Sequence, residues 1–180
     1  MNASIGVPTD PFAKKSLRTS EHHIISHCPE DTVRIGAFLG KYLAGGSVVA
    51  LAGKLGSGKT CLTQGIARGL KVPKEIYITS PSYSIVNEYP GRITLFHVDF
   101  YRLKDPSELE DVDLDETLEA GGVVVIEWAE KFPGILPEEH LFVSISIMDD
   151  QTRELHLTAY GQQAAYAVTR LLHDLSVLAR

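Results

Sequence analysis

Gly53-Lys54-Leu55-Gly56-Ser57-Gly58-Lys59-Thr60 satisfies the pattern G-x-x-x-x-G-K-[ST] at every specified position. Its flanks match what such a loop requires. Ser47 to Ala52 (S-V-V-A-L-A) is β-branched and apolar like a buried strand, and Cys61 to Leu70 lacks proline and repeats apolar residues at helical spacing. Strand, glycine loop and helix make a phosphate cradle. Glycines let the backbone N–H groups of residues 55–60 turn inward, and the helix N-terminus adds partial positive charge. In that arrangement Lys59 reaches the β- and γ-phosphates of a nucleotide and the Thr60 hydroxyl ligates Mg²⁺. A glycine-rich turn without ligand would share the backbone path, but it requires neither Lys59 nor Thr60.

Composition sets the frame. A chain of 180 residues holds one domain with a real core and is too short for a P-loop core plus a sizeable substrate domain. Hydrophobic residues at 44% and charged residues at 22% are those of an ordinary soluble protein. No apolar stretch approaches the roughly 20 residues that span a bilayer. Met1 to Ser20 contains Asp10 and two prolines and has no apolar signal core, so the expected location is cytoplasmic. Cys28 and Cys61 supply neither a disulfide framework nor a zinc ligand set. The formal charge of −6 is wrong for a protein that grips nucleic acid unaided, and Arg92, Arg102, Lys104 and Lys131 are scattered among acids. His22, His23 and His27 fall close together but lack carboxylates at metal-ligand spacing, which favours solvated or half-buried histidines.

Residues 1–20 read as a flexible arm and 21–180 as one domain. A strand near His22 to Ser26 precedes a helix from Pro29 to about Leu43, stopped by Gly45-Gly46. Pro90-Gly91 separates two strand-like runs, Tyr83 to Tyr89 and Ile93 to Asp99, as a hairpin. The acidic stretch Asp105 to Glu119 suits two short helices, Val123 to Ile126 a strand buried on both faces, and Leu141 to Met148 with Arg153 to Ala159 a late strand pair. A final helix from about Gln162 carries an apolar stripe. The expected fold is a three-layer α/β domain of the P-loop NTPase type with a mixed parallel and antiparallel sheet and the P-loop strand at its centre.

Nucleotide-triphosphate chemistry places one acid near Mg²⁺ and another group near the attacking oxygen. Glu127 and Asp99 both end strands, and in an open α/β sheet the carboxyl ends of strands line the ligand crevice. Each, taken singly, is equally a cap for the following segment. The loop Thr79-Ser80-Pro81-Ser82 offers hydroxyls able to sense a γ-phosphate.

Four ordered segments, G-K-L-G-S-G-K-T, T-S-P-S-Y-S-I-V-N-E-Y, H-V-D-F-Y-R-L and V-V-V-I-E-W-A-E-K-F-P-G-I-L-P, closely resemble the bacterial TsaE (YjeE) family from about His22 to Leu157. The resemblance implies a P-loop ATPase needed for the N6-threonylcarbamoyladenosine modification of tRNAs that read codons beginning with A. It implies partners TsaD and TsaB, with tRNA met only through them, and cofactors ATP and Mg²⁺. It further implies that the chain does not itself transfer the threonylcarbamoyl group. On that footing Lys59, Asp99 and Glu127 are the catalytic candidates, and Thr60 and Glu127 hold the metal. Leu55, Gly56, Ser57, Gly58, Lys59, Thr60, Cys61, Thr79, Ser80, Ser82 and Trp128 bind nucleotide. Two positions depart from the family pattern, Lys54 where Asp is usual and Ser82 where Thr is common.

A P-loop small-molecule kinase is the alternative. It would need cations to clamp the transferred phosphoryl group, yet no base occurs between Lys104 and Lys131. A GTPase is disfavoured because no [NT]-K-x-D guanine-reading segment is present.

Overall fold

The computed structural model describes residues 18–81, 83–109, 112 and 114–178. Seven strands form one sheet: β1 (Arg18–Ser26), β2 (Val48–Ala52), β3 (Val86–Tyr89), β4 (Leu95–Asp99), β5 (Val123–Glu127), β6 (His140–Ile147) and β7 (Arg153–Tyr160). The four principal helices are α1 (Pro29–Tyr42), α2 (Lys59–Gly69), α3 (Leu114–Glu119) and α4 (Gln162–Leu178). Spatial order is β1-β7-β6-β2-β5-β4-β3, so β2 lies at the centre, as its sequence predicts. β2 runs parallel to β5 and β6, and β4 runs parallel to β5. The hairpin partners β3 and β7 add antiparallel pairs, and β1 pairs antiparallel with β7 at the edge.

Burial on both faces explains the unbroken apolar reading of β2 and β5. On one face Val49, Leu51, Val123 and Val125 pack against α1, α2 and α4 through Leu39, Leu62, Ile66 and Val168. On the other, Val48, Ala50, Val124 and Ile126 meet Phe100, Leu103, Leu114, Phe132 and Leu136 from α3 and the neighbouring short turns. The result is a three-layer α/β sandwich. The helices α1 and α2 touch backbone to backbone through glycines spaced four apart. A Cβ at Gly36 would sit 2.4 Å from the Leu62 carbonyl oxygen, and one at Gly65 would sit 2.2 Å from that of Val33. This close crossing fixes α2, and with it the loop that precedes it, against the sheet. Arg92, from the β3–β4 connection, donates to the carbonyls of Gly40 (2.7 Å), Lys41 (3.1 Å) and Leu43 (2.6 Å), capping the end of α1.

The strand β1 starts at Arg18 rather than near His22, so residues 18–20 belong to the sheet and not to an arm. Their order comes from pairing with Tyr160 and Ala159, about 140 residues away in sequence, which local polarity does not reveal. The remainder of the expected arm, residues 1–17, lies outside the described residues. No helix among the described residues is long and apolar enough to cross a membrane.

Candidate active site: a phosphate loop facing two strand-end carboxylates

The chain leaves β2 at Ala52, loops through residues 53–58 and enters α2 at Lys59. The turn needs glycine at two places. At Gly53 (φ 145°) a Cβ would press on the Ile145 carbonyl and the Ser57 hydroxyl, and Gly58 caps α2 in the left-handed region at φ 105°. Lys59 is only 4% exposed. Its ammonium donates to the carbonyls of Gly53 (2.7 Å) and Lys54 (3.2 Å) and lies 3.8 Å from the centre of the Trp128 ring. Burial pushes the Lys59 ammonium below the ordinary lysine range, against the pull of Glu127, Glu130 and Asp99. Trp128 reaches this position from a left-handed backbone (φ 60°), a conformation uncommon for a bulky residue, directly after β5.

Parallel pairing of β4 and β5 sets Asp99 opposite Glu127, and both side chains are buried. Glu127 Oε2 accepts from the Thr60 hydroxyl at 3.1 Å, while Oε1 faces His97 Nε2 at 2.9 Å. Asp99 Oδ1 accepts from the Tyr101 backbone N–H at 2.7 Å, and Oδ2 accepts from the Ser80 hydroxyl. Leu55, Gly56, Gly58, Lys59, Thr60, Cys61, Ser80, Asp99, Glu127 and Trp128 line a single cavity of about 430 Å³, together with Tyr101.

Two expected nucleotide residues stand apart from that lining, and a third lies outside the described residues. Ser57 is fully buried beneath the loop, Thr79 is exposed with its carbonyl facing the Tyr89 hydroxyl, and Ser82 lies outside the described residues. Cys61 donates to the Pro29 carbonyl, and burial raises its thiol above the usual range, so the sulfur is held protonated rather than reactive. Lys54 is exposed and meets the site only through its carbonyl. A second hollow of about 770 Å³ runs along α2 past Arg68, Pro73 and Tyr77 and includes none of the phosphate-loop residues.

The structure also assigns work to residues that the sequence reading passed over. His97 contacts Glu127, as above. Glu130 accepts the Gly53 N–H at 3.3 Å, and its burial raises the carboxyl above its ordinary range. Arg153, opening β7, donates to the carbonyl of Ser57 at 3.2 Å and bridges the loop to the sheet. His97 and Glu130 lie inside the motif segments and were legible as neighbours of Asp99 and Glu127. Arg153 comes from 96 residues downstream of Ser57 and had no local signal.

The donor set suits a hard cation. A hydroxyl and a carboxylate from different elements already converge, and both are oxygen ligands of the kind Mg²⁺ takes alongside substrate phosphates. A glycine loop that opens a helix beside a buried ammonium suits a polyphosphate equally well.

Comparison with known proteins agrees with this geometry. The family model described as threonylcarbamoyl adenosine biosynthesis protein TsaE matches residues 26–155. The tRNA threonylcarbamoyladenosine biosynthesis protein TsaE of Treponema pallidum is 40% identical over 131 residues, covering 73% of this chain and 96% of that protein. The Bacillus subtilis protein of the same name is 38% identical over 136 residues, covering 75% and 84%. The crystal structure of Bacillus subtilis YdiB superposes with a TM-score of 0.70 at 31% identity, covering 86% of this chain and 96% of that one. The chain belongs to the TsaE family of threonylcarbamoyl adenosine biosynthesis proteins.

Proposed function

We propose that this chain is a Mg²⁺-dependent ATPase serving N6-threonylcarbamoyladenosine modification of tRNAs that read codons beginning with A, working with TsaD and TsaB. The observation that carries the reading is the gathering of Lys59, Thr60, Asp99 and Glu127 around one cavity at the carboxyl ends of β2, β4 and β5. Family membership supplies the biosynthetic context.

In this reading the loop amides of residues 55–60 and the N-terminus of α2 bind the phosphates, and Lys59 turns from its loop carbonyls to the β- and γ-oxygens. Thr60 and Glu127 would hold Mg²⁺, which when bound neutralises charge on the phosphoryl oxygens. Asp99, fixed by Ser80 and the Tyr101 amide, orients the attacking water and takes up its proton at Oδ1 or Oδ2 as the water oxygen bonds to the γ-phosphorus and the bond from that phosphorus to the β,γ-bridging oxygen breaks, releasing ADP. Ser80 ties the loop before β3 to that aspartate, so γ-phosphate contacts at the loop reach the hydrolytic group directly.

The acidic chain leaves tRNA to its partners. Arg92 and Lys131 are spent internally, the first on α1 and the second on the carbonyls of Phe100, Tyr101 and Leu103. Lys59 is the one base among the described lining residues, which leaves an acceptor phosphoryl group without the cationic clamp that a kinase needs. ATP hydrolysis with and without purified TsaD and TsaB tests the proposal. Slow turnover alone and stimulated turnover with partners support it; phosphoryl transfer to a metabolite in place of water would replace it with the kinase reading.

A further inference from the structure

The sheet face turned away from α1, α2 and α4 carries, at its β1 edge, a cluster that nucleotide chemistry does not use. Glu21 and His23 alternate along β1 and share a face, and His156 on β7 stands directly opposite His23 in the antiparallel register. Glu154 precedes His156 by two residues and shares that face. The two imidazoles stack with centres 4.2 Å apart and planes 13° apart. His23 Nδ1 lies 3.2 Å from Glu154 Oε1, and His156 Nε2 meets Glu21 Oε1. Ligand atoms of Glu21, His23 and His156 all fall within 4.8 Å of one another, and no other such trio of potential metal ligands occurs among the described residues.

We propose that Glu21, His23 and His156, with Glu154 as a fourth donor, form a binding site for one divalent transition-metal ion of the zinc class. Imidazole nitrogens with carboxylates select Zn²⁺, Co²⁺ or Ni²⁺ over Mg²⁺ and Ca²⁺, which prefer all-oxygen shells. Two carboxylates balance the dication. Zinc bonds of about 2.0–2.2 Å set tetrahedral ligand atoms about 3.4 Å apart, so the trio, spaced within 4.8 Å, closes by about 1.4 Å at most through side-chain rotation, and Glu154 joins by rotating from its contact with His23. His23 and Glu21 are exposed enough to rotate, while the strand register holds all four Cα positions. Two His–Glu ion pairs across the strands would also account for the contacts, but that arrangement alone gives no response to metal. The bound ion clamps the edge strand β1 to β7. The site lies on the edge pair β1 and β7, with β6 between β7 and the P-loop strand β2.

The test is a titration of the full chain with Co²⁺ and with Zn²⁺, in excess Mg²⁺ to fill oxygen-only sites. Expected are 1:1 saturation, a visible Co²⁺ absorption band of tetrahedral intensity and a rise in Tm on Zn²⁺ addition, because the ion binds the folded state. His23→Ala and His156→Ala should each weaken binding at least tenfold, with His22→Ala and His27→Ala unchanged. Glu21→Gln, the mildest change at this surface, should also weaken it while leaving the fold intact. Absence of saturable binding, or binding indifferent to His23→Ala and His156→Ala, would overturn the site.

Discussion

His97 Nε2 lies 2.9 Å from Glu127 Oε1, inside the sheet, while the other Glu127 oxygen takes the Thr60 hydroxyl. Both residues are almost fully buried, and His97 Nδ1 has no hydrogen-bond partner among the described residues. The imidazole therefore has one polar task, donating Nε2–H to the carboxylate and fixing which oxygen faces Thr60. His97 is a positioning residue for the proposed metal acid.

His97→Ala is expected to weaken Mg²⁺-dependent ATP binding and hydrolysis about 10- to 100-fold, the usual cost of losing an outer partner of a metal-associated carboxylate. ATP binding without Mg²⁺ should be unchanged, and His97→Gln, whose amide can donate, should restore part of the loss. Calorimetric titrations with and without Mg²⁺ separate this from simple misfolding, which would reduce both.

Lys59 is held below the ordinary lysine value of 10.5, chiefly by burial. Between its lowered value and 10.5 the folded chain binds fewer protons than the unfolded chain, so wild-type stability rises with pH through that window. Lys59→Met abolishes the rise along with productive triphosphate binding. The stability of the variant relative to wild type should therefore fall between pH 7 and pH 10, measured as the difference in denaturant midpoints. A constant difference would show that the buried ammonium is not strained.

The α1–α2 crossing leaves no room for a methyl group. A Cβ at Gly65 would meet the Val33 carbonyl and the Gly36 Cα, both backbone atoms that cannot rotate aside. Gly65→Ala should cost about 3 kcal/mol, the upper end of overpacking effects, and lower Tm by roughly 6–12 °C in a chain of this size. Because α2 carries Lys59 and Thr60, ATP affinity should fall as well. Gly134, whose Cβ would meet nothing within 4 Å, provides the control.

Much of this was legible in the chain. The loop Gly53–Thr60, the apolar β2 and β5 runs and the Pro90-Gly91 punctuation carry local signals, and they predict the central strand, the hairpin and the strand-end positions of Asp99 and Glu127. What stayed hidden depends on contacts remote in sequence. Arg153 reaches the loop only after β7 is paired, and residues 18–20 become strand only through β7. His23 read as a solvated histidine although Glu21 stands two residues before it, because its other partners Glu154 and His156 arrive from 131 and 133 residues downstream and only the strand register brings them together. Glu127 showed its acid in sequence, whereas the His97 contact needed the register of β4 on β5.

In the proposed function, Asp99 drives the ATP hydrolysis that keeps tRNA modification turning over. The direct measurement is threonylcarbamoyladenosine formed per TsaD–TsaB complex in a reconstituted reaction containing wild-type chain or Asp99→Asn, with ATP binding of the variant verified beforehand. Repeated turnover is expected with wild type and arrest near a single round with Asp99→Asn. Equal multiple-turnover yields from a variant that no longer hydrolyses ATP would contradict that role of Asp99.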